Sequence, residues 1–223
     1  MTTAKLKAVI FDMDGVLIDS EPLWQIAEHK VLTDLGLNIS IEETVETTGL
    51  RIDQVVAFWY ARFPWPNYDN AQTAQAIVDQ VVSHILANGE AMTGVISALE
   101  SCQEMGLKIG LATSSSSDII SAVLNKLAIG SYFDAIKSAE HLSYGKPHPE
   151  VYLNCADALN IAPVNCLAIE DSFNGLVAAR AANMQTIAIP EKRLSQQPRW
   201  IIAHQQLEDL TFLPSFLAQK ISC

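Results

Sequence analysis

Basic residues are scarce in this chain of 223 residues: 14 Lys and Arg stand against 25 Asp and Glu, a formal net charge of −11. A surface that tracks phosphodiester backbones needs a basic stripe, so nucleic acid is excluded as the main partner. Cysteine is sparse as well, and Cys102, Cys155, Cys166 and Cys223 show no CxxC spacing. That pattern predicts reduced thiols in a cytoplasmic protein rather than a disulfide framework or a zinc site. His29, His84, His141, His148 and His204 are scattered without metal-ligand spacing, and no chemistry is assigned to them. No run of about eighteen uncharged apolar residues is present, so no membrane span is expected. The opening stretch MTTAKLKAVIF lacks the apolar core of a signal peptide, which again points to the cytoplasm.

What the chain does have is an apolar share of 49%, enough for a sizeable core in one large domain or in a domain with an insertion. Apolar runs of strand length recur at Leu6–Phe11, Leu107–Ala112, Ala135–Ile136, Cys166–Ile169 and Thr186–Ile189. Between most of them, Ile96–Met105, Asp118–Ala128, Glu150–Leu159 and Asn174–Ala182 carry apolar residues at helical spacing. The alternation predicts an α/β fold, a Rossmann-like doubly wound parallel sheet with right-handed crossovers. From about Glu21 to Leu86 the alternation breaks: PLWQIAEHKVLTDLG, IDQVVAFWYARF and AQTAQAIVDQVVSHIL read as helices with no strand between them. The predicted organisation is a Rossmann-like core of residues 1–17 and 87–223 with an inserted α-helical cap of residues 18–86. Asn88-Gly89-Glu90 and Thr93-Gly94 mark the return to the core. The tail from Glu191 to Cys223 carries several prolines and a mixed pattern that predicts no element.

Four polar clusters fall at the carboxyl ends of the predicted strands or at the starts of the helices, where open parallel sheets collect their ligands. In FDMDG, Asp12 and Asp14 point to the same side of an extended chain, and the bland alternative is a reversing turn at Asp14-Gly15. An EF-hand is excluded because the later acidic positions are missing. In LATSSSSD, hydroxyls at a helix start either cap the helix or hold an anion, and the two roles are compatible. In YGKPHPE, Pro147 fixes Lys146 just outside a helix, although an exposed loop lysine would look the same. In LAIEDSFNG, Glu170 and Asp171 close a strand before another helix, and the bland alternative is that they cap it. Three or four carboxylates converging on one edge need a counter-ion, and Mg²⁺ is the economical one.

Taken in order, DMDG, LATS, GKPHP and IEDS make the chain resemble the haloacid dehalogenase-like superfamily over nearly its whole length. The helical insertion after the first motif looks like the cap of the β-phosphoglucomutase-like branch. Within it, FDMDGVLIDSEPLW, GLRIDQVVAFWYAR and YGKPHPEVYLNCA are similar to bacterial sugar phosphatases of the 2-deoxyglucose-6-phosphatase and hexitol phosphatase kind. The resemblance implies that Asp12 is the nucleophile, phosphorylated during turnover beside the metal, and that Asp14 is the acid and then the base. It further implies Mg²⁺ held by Asp12, Asp171 and the Asp14 backbone carbonyl, with Glu170 as a direct or outer ligand. Thr113, Ser114, Ser115 and Lys146 would grip the phosphoryl group. The implied activity is Mg²⁺-dependent hydrolysis of small hexose or hexitol phosphates, such as 2-deoxyglucose 6-phosphate, by a cytoplasmic monomer.

Other readings fit less well. β-Phosphoglucomutases usually carry a histidine ten residues after the second aspartate, where this chain has Trp24, which favours hydrolysis. Dehalogenases of the superfamily lack the second acid, here Asp14. Receiver domains place their acidic pair on the first strand and the phosphorylated aspartate on the third, whereas here the run Leu107–Ala112 ends in hydroxyls. A non-catalytic sugar-phosphate-binding protein has no need of Asp12, Asp14, Lys146 and Asp171 together. Arg51 is expected to meet a sugar oxygen or solvent, and Trp24, Trp59, Tyr60 and Trp65 to build the core of the cap or stack on a sugar.

Overall fold

The run Ala8–Phe11 forms strand β1, all of whose side chains are buried, as expected of a central strand covered on both faces. The structure, a computed structural model, describes residues 5–221. After β1 come three helices, α1 (Glu21–Asp34), α2 (Ile52–Arg62) and α3 (Asn70–Asn88), with a 3₁₀ turn at Ile41–Thr47. Alternation then begins with α4 (Val95–Glu104), β2 (Lys108–Thr113), α5 (Ser117–Leu127), β3 (Ala135–Ser138) and α6 (Glu150–Ala158). It continues with β4 (Cys166–Glu170), α7 (Phe173–Ala181), β5 (Gln185–Ala188), β6 (Gln205–Gln206) and α8 (Leu213–Ile221). The strands form one parallel sheet in the order β3-β2-β1-β4-β5-β6.

The five expected strands are all present, shifted by a residue or two, and the fold is the α/β sheet that the alternation predicts. Two elements of the tail, β6 and α8, were not expected. β6 is a pair of exposed glutamines with no apolar signal, and it owes its place to pairing with β5. Among the described residues, Cys102, Cys155 and Cys166 are buried and unpaired, while Cys223 lies outside them. No helix of the described residues is long and apolar enough to cross a membrane.

Side chains of β1 alternate between two apolar layers. Val9 and Phe11 pack with Leu99 and Cys102 of α4, Ile119 and Val123 of α5, and Leu213 and Leu217 of α8. Ala8 and Ile10 pack on the other face with Tyr152 and Cys155 of α6 and Ala178 and Ala179 of α7. Gly110 of β2 lets α6 come down onto the strand backbone, since a Cβ there would lie 2.5 Å from Cys155 Sγ and 3.1 Å from Leu159 Cδ1. That approach brings Tyr152 over the carboxyl ends of the strands. Register fixes the rest: Phe11 pairs with Leu111 on one side and Ile169 on the other, so Asp12, Ala112 and Glu170 reach one level of the edge.

The helical insertion leaves and rejoins the sheet layer through adjacent backbone. Ile18 bridges Ala91, Asp19 N donates to Glu90 O at 3.0 Å, and Met92 N donates to Leu17 O at 3.0 Å. Apolar side chains at helical spacing, among them Ala27, Leu32, Val56, Trp59, Ile77 and Val81, give the insertion its interior, which runs on into the first of the two layers. Trp59 packs edge-on against Phe58 and stacks with Phe63, and Tyr60 packs against Trp65 and Tyr68. These aromatics therefore build the insertion itself. One carboxyl group is buried with them: Glu28, at 5% exposure, is hydrogen bonded to the Thr47 hydroxyl at 2.8 Å. Burial pushes Glu28 up to about 7, against a smaller opposing effect of Thr47 and Trp59.

Two predictions follow from this packing. Gly110→Ala forces Cys155 and Leu159 off α6's seat and should lower the unfolding free energy by about 1–3 kcal/mol in urea titration; an unchanged midpoint would refute the close-approach argument. Between its ordinary pKa and about 7, Glu28 keeps a proton in the folded chain that the unfolded chain has released, so its contribution to stability is lost as pH rises through that window. Glu28→Gln should therefore gain stability relative to the parent as pH goes from about 4 to about 8, by roughly 2–3 kcal/mol in all. A difference that stays flat with pH would mean the carboxyl is not held neutral.

Candidate active site

Lys146, in the loop before α6, is 3% exposed, and its ammonium is surrounded by acceptors. It donates to Asp12 Oδ1 at 2.6 Å, to Glu170 Oε1 at 2.6 Å and to the Ala112 carbonyl at 3.0 Å. An ammonium has three hydrogens, and these three acceptors match them. Tyr152 OH donates to the same Glu170 Oε1 at 2.6 Å. The other Glu170 oxygen, Oε2, accepts from Ser172 Oγ at 3.0 Å and from Ser172 N at 3.3 Å. Both oxygens of Glu170 are thus filled by protein donors.

Electrostatics at this edge are dominated by burial. Burial raises the Asp12 pKa far above the usual carboxylate range; Lys146 opposes the rise, and Glu170 and Asp14 add to it. Asp171 is raised well above its ordinary value by burial and then by the charges of Asp12 and Glu170. Burial also works against the Lys146 charge, but the carboxylates of Asp12 and Glu170 outweigh it and hold the ammonium protonated. Three carboxylates, Asp12, Glu170 and Asp171, have oxygens within 4.8 Å of one another. Against them stands one ammonium, so an unbalanced negative charge remains.

The residues fit a hard divalent cation. The donors are all oxygens, the charge they leave is negative, and Asp171 is held against the backbone beside Asp14. At Gly15, with φ of +71°, a Cβ would lie 2.1 Å from Asp171 Oδ2. Only a glycine leaves room for that carboxylate against the turn. Since Glu170 is already filled, the oxygens with room for a cation belong to Asp12 and Asp171.

Asp14 is held by a different set of partners. Its Oδ1 accepts from Ser20 Oγ at 2.5 Å and from the Trp24 indole N–H at 3.0 Å, and its Oδ2 accepts from Ser115 Oγ at 2.6 Å. Ser20 and Trp24 sit at the start of α1, so the first helix of the insertion orients this carboxyl. After β2, Ser115 N donates to Thr113 Oγ1 at 3.0 Å, and the Ser114 hydroxyl is buried without a hydrogen-bond partner among the described residues. A buried, unpartnered hydroxyl beside a helix start is the donor set an oxyanion would satisfy.

These groups share a cleft whose empty space, its solvent mouth included, is about 620 Å³. From the sheet edge it is lined by Asp12, Asp14, Thr113, Ser114, Ser115 and Lys146, together with Asp171. From the insertion it is lined by Glu21, Trp24, Glu28, Thr47, Thr48 and Leu50. Seven of the eight residues singled out from the sequence therefore face one space, and Glu170 stands directly behind Lys146. Arg51 does neither of the things expected of it. Its guanidinium donates to the carbonyls of Ala139 at 3.0 Å and Leu142 at 2.6 Å and pairs with Asp53, tying the start of α2 to the loop after β3. Sequence reasoning gave no role to Ser20, Tyr152 or Glu28, and for Trp24 it weighed stacking or core. The spacing in DSEPLW, a hydroxyl and an indole on the first turn after the acidic pair, was the available signal for two of them.

The family model described as haloacid dehalogenase-like hydrolase matches residues 9–189. Hexitol phosphatase B of Escherichia coli (strain K12) is 43% identical over 213 residues, covering 95% of this chain and 96% of that protein. Fructose-1-phosphate phosphatase YqaB of the same organism is 31% identical over 186 residues, covering 81% of this chain and 95% of that one. Among solved structures, β-phosphoglucomutase from Clostridium difficile superposes with a TM-score of 0.82 at 26% identity, covering 97% of each chain. With the motifs on one sheet edge and the family model matching from β1 through β5, the chain belongs to the haloacid dehalogenase-like hydrolases.

Proposed function

We propose that the protein is a Mg²⁺-dependent phosphatase that hydrolyses small sugar or hexitol phosphates through an aspartyl-phosphate intermediate on Asp12. The observation that carries the reading is the division of labour between the two aspartates: Asp12 is bound to the Lys146 ammonium, while Asp14 is bound to hydroxyls and an indole. An oxygen of the Asp12 carboxylate attacks phosphorus as the bond to the leaving alcohol breaks. Asp14 gives that alcohol its proton, and then takes one from the water that attacks the aspartyl phosphate, releasing inorganic phosphate and restoring both groups. The hydroxyls of Thr113 and Ser114 hold the phosphoryl oxygens in line, Lys146 adds its positive charge beside them, and Ser115 orients Asp14. Asp12, Asp171 and the Asp14 backbone carbonyl would hold Mg²⁺, which supplies charge neutralisation to the phosphoryl group. Glu170 keeps Lys146 in place from behind.

The cage round Asp14 suits a group that cycles its proton. The hydroxyls of Ser20 and Ser115 can turn from donor to acceptor, so they hold the carboxyl in either state. The indole of Trp24 can only donate. It pins Oδ1 as an acceptor and leaves Oδ2, on the Ser115 side, to exchange the proton. A donor-only group cannot relay protons between sugar hydroxyls, so Trp24 counts against a phosphoglucomutase reading in spite of the shared fold.

Phosphate release from a panel of hexose, hexitol, pentose, glycerol and glycolate phosphates tests the proposal. Release should be fastest for a hexose or hexitol ester, abolished by a chelator and restored by Mg²⁺. Asp12→Asn should abolish turnover, and Asp14→Asn should lower kcat by about 10²–10⁴; activity surviving in Asp12→Asn would end the mechanism. Trp24→Phe removes one donor to Asp14 and should lower kcat by roughly fivefold to tenfold with little change in KM. Rapid isomerisation of β-glucose 1-phosphate in the presence of a bisphosphate primer, faster than its hydrolysis, would favour the mutase instead.

A further inference from the structure

Glu28 is a second buried carboxyl group facing the cleft, and the mechanism above does not use it. Both Glu28 on α1 and Thr47 at the end of the 3₁₀ turn line the cleft with Asp12 and Asp14. Among the described residues no cation pairs with Glu28. Its hydrogen-bond partner is Thr47, and the charged group acting on it is another acid, Glu21. Holding a carboxyl in this way costs stability, and an apolar side chain of the same size would pack the insertion at less cost. Packing therefore supplies no reason for an acid at this position.

Hydrogen-bond counting shows what the acid can do. Thr47 Oγ1 lies 2.8 Å from Glu28 Oε2 and also 2.8 Å from the Thr44 carbonyl oxygen. A hydroxyl carries one hydrogen and a carbonyl can only accept. When the Thr47 hydrogen goes to Thr44, the contact with Glu28 must be made by a proton on the carboxyl, and burial, which pushes Glu28 up to about 7, provides it. Among the described residues Oε1 takes no hydrogen bond, and Glu28 lines the cleft. Trp59, whose indole N–H is buried without a hydrogen-bond partner, acts on the same carboxyl from behind. Beside this group, Thr48 Oγ1 donates to Glu21 Oε1 at 2.6 Å, and both of these residues line the cleft as well. The wall opposite the phosphoryl-gripping edge is thus a run of groups that donate and accept, with no positive charge among them.

We propose that Glu28 and Thr47 form a hydroxyl-binding subsite for the alcohol portion of the substrate, making Glu28 a specificity-determining residue that selects polyhydroxylated phosphate esters. The inference rests on the sugar-phosphatase reading and assigns one end of the cleft to its leaving group. With its proton directed to Thr47, the carboxyl keeps Oε1 as an acceptor for a substrate hydroxyl, and a second phosphate is disfavoured there by Glu21 and by the lack of a cation on this wall.

The test compares kcat/KM for a hexitol phosphate with kcat/KM for p-nitrophenyl phosphate, which has no hydroxyl group, in the parent, Glu28→Met, Glu28→Gln and Thr47→Val. Both rates come from the same preparation, so loss of folded protein cancels in their ratio. Glu28→Met should lower the ratio roughly tenfold, through KM for the hexitol ester, and Thr47→Val should lower it severalfold. Glu28→Gln, which keeps a donor and an acceptor, should restore most of it. A ratio unmoved in both Glu28→Met and Thr47→Val, in a parent that cleaves the hexitol phosphate, overturns the subsite alone. A parent that cleaves p-nitrophenyl phosphate but no sugar or polyol phosphate overturns the substrate reading, and the subsite with it.

Discussion

The buried Lys146 ammonium is the contact on which the working edge of the sheet depends. It joins the end of β1 through Asp12, the end of β2 through the Ala112 carbonyl and the end of β4 through Glu170. Taking two carboxylates and an ammonium out of water is expensive, and geometry has to repay it. Here the repayment comes from saturating every hydrogen of the ammonium and from Tyr152 and Ser172 covering the remaining lone pairs of Glu170. Removing the lysine would leave two buried carboxylates facing each other, a loss of about 3–5 kcal/mol of the kind that follows from stranding one partner of a buried pair. The close seat of α6 on Gly110 belongs to the same arrangement, because it delivers Tyr152 to Glu170.

A second constraint acts where the helical insertion meets the sheet. The two crossing segments pair with each other at Ile18 and Ala91, immediately beside Asp14 and the root of α1. Asp14 therefore takes its orientation from both sides of the junction, from Ser115 after β2 and from Ser20 and Trp24 in the insertion. Arg51 adds a tie farther out, to two carbonyls of the loop after β3. Any movement of the insertion relative to the sheet is felt by the carboxyl of Asp14, whereas Asp12 is anchored wholly within the sheet edge. Chemistry that needs one fixed acid and one acid sensitive to enclosure of the substrate has both here.

How much of this was legible in the sequence depends on the range of the interaction concerned. β1 and β4 could be read from AVIF and CLAI because a strand covered on both faces is apolar along its buried run. β6 could not, since two exposed glutamines carry no signal and their pairing comes from β5. The residues of the cleft were found because strand ends in a parallel sheet converge whatever lies between them. Their partners were harder: Lys146 and Asp12 are 134 residues apart, and nothing local distinguishes this lysine from an exposed one. Arg51 was misjudged for the same reason, as its acceptors Ala139 and Leu142 lie 88 and 91 residues away. Glu28 was passed over because a single acid within an amphipathic helix reads as its solvated face.

The acid pair in FDMDG poses a question of charge that the geometry resolves by giving each acid its own surroundings. Two carboxylates one residue apart repel, and along an extended strand they also share a side. Alternation alone would therefore make the pair unfavourable. β1 ends at Phe11 and the chain turns at Gly15, so Asp12 stays with the ion cluster while Asp14 reaches the hydroxyls and the indole. One aspartate is compensated by a full charge and the other by dipoles. On the proposed mechanism the first acts as the nucleophile, and the second, among reversible hydroxyl partners, gains and loses a proton without losing its place. The difference in surroundings between two chemically identical side chains comes from β1's neighbours for the first and from the helical insertion and the loop after β2 for the second.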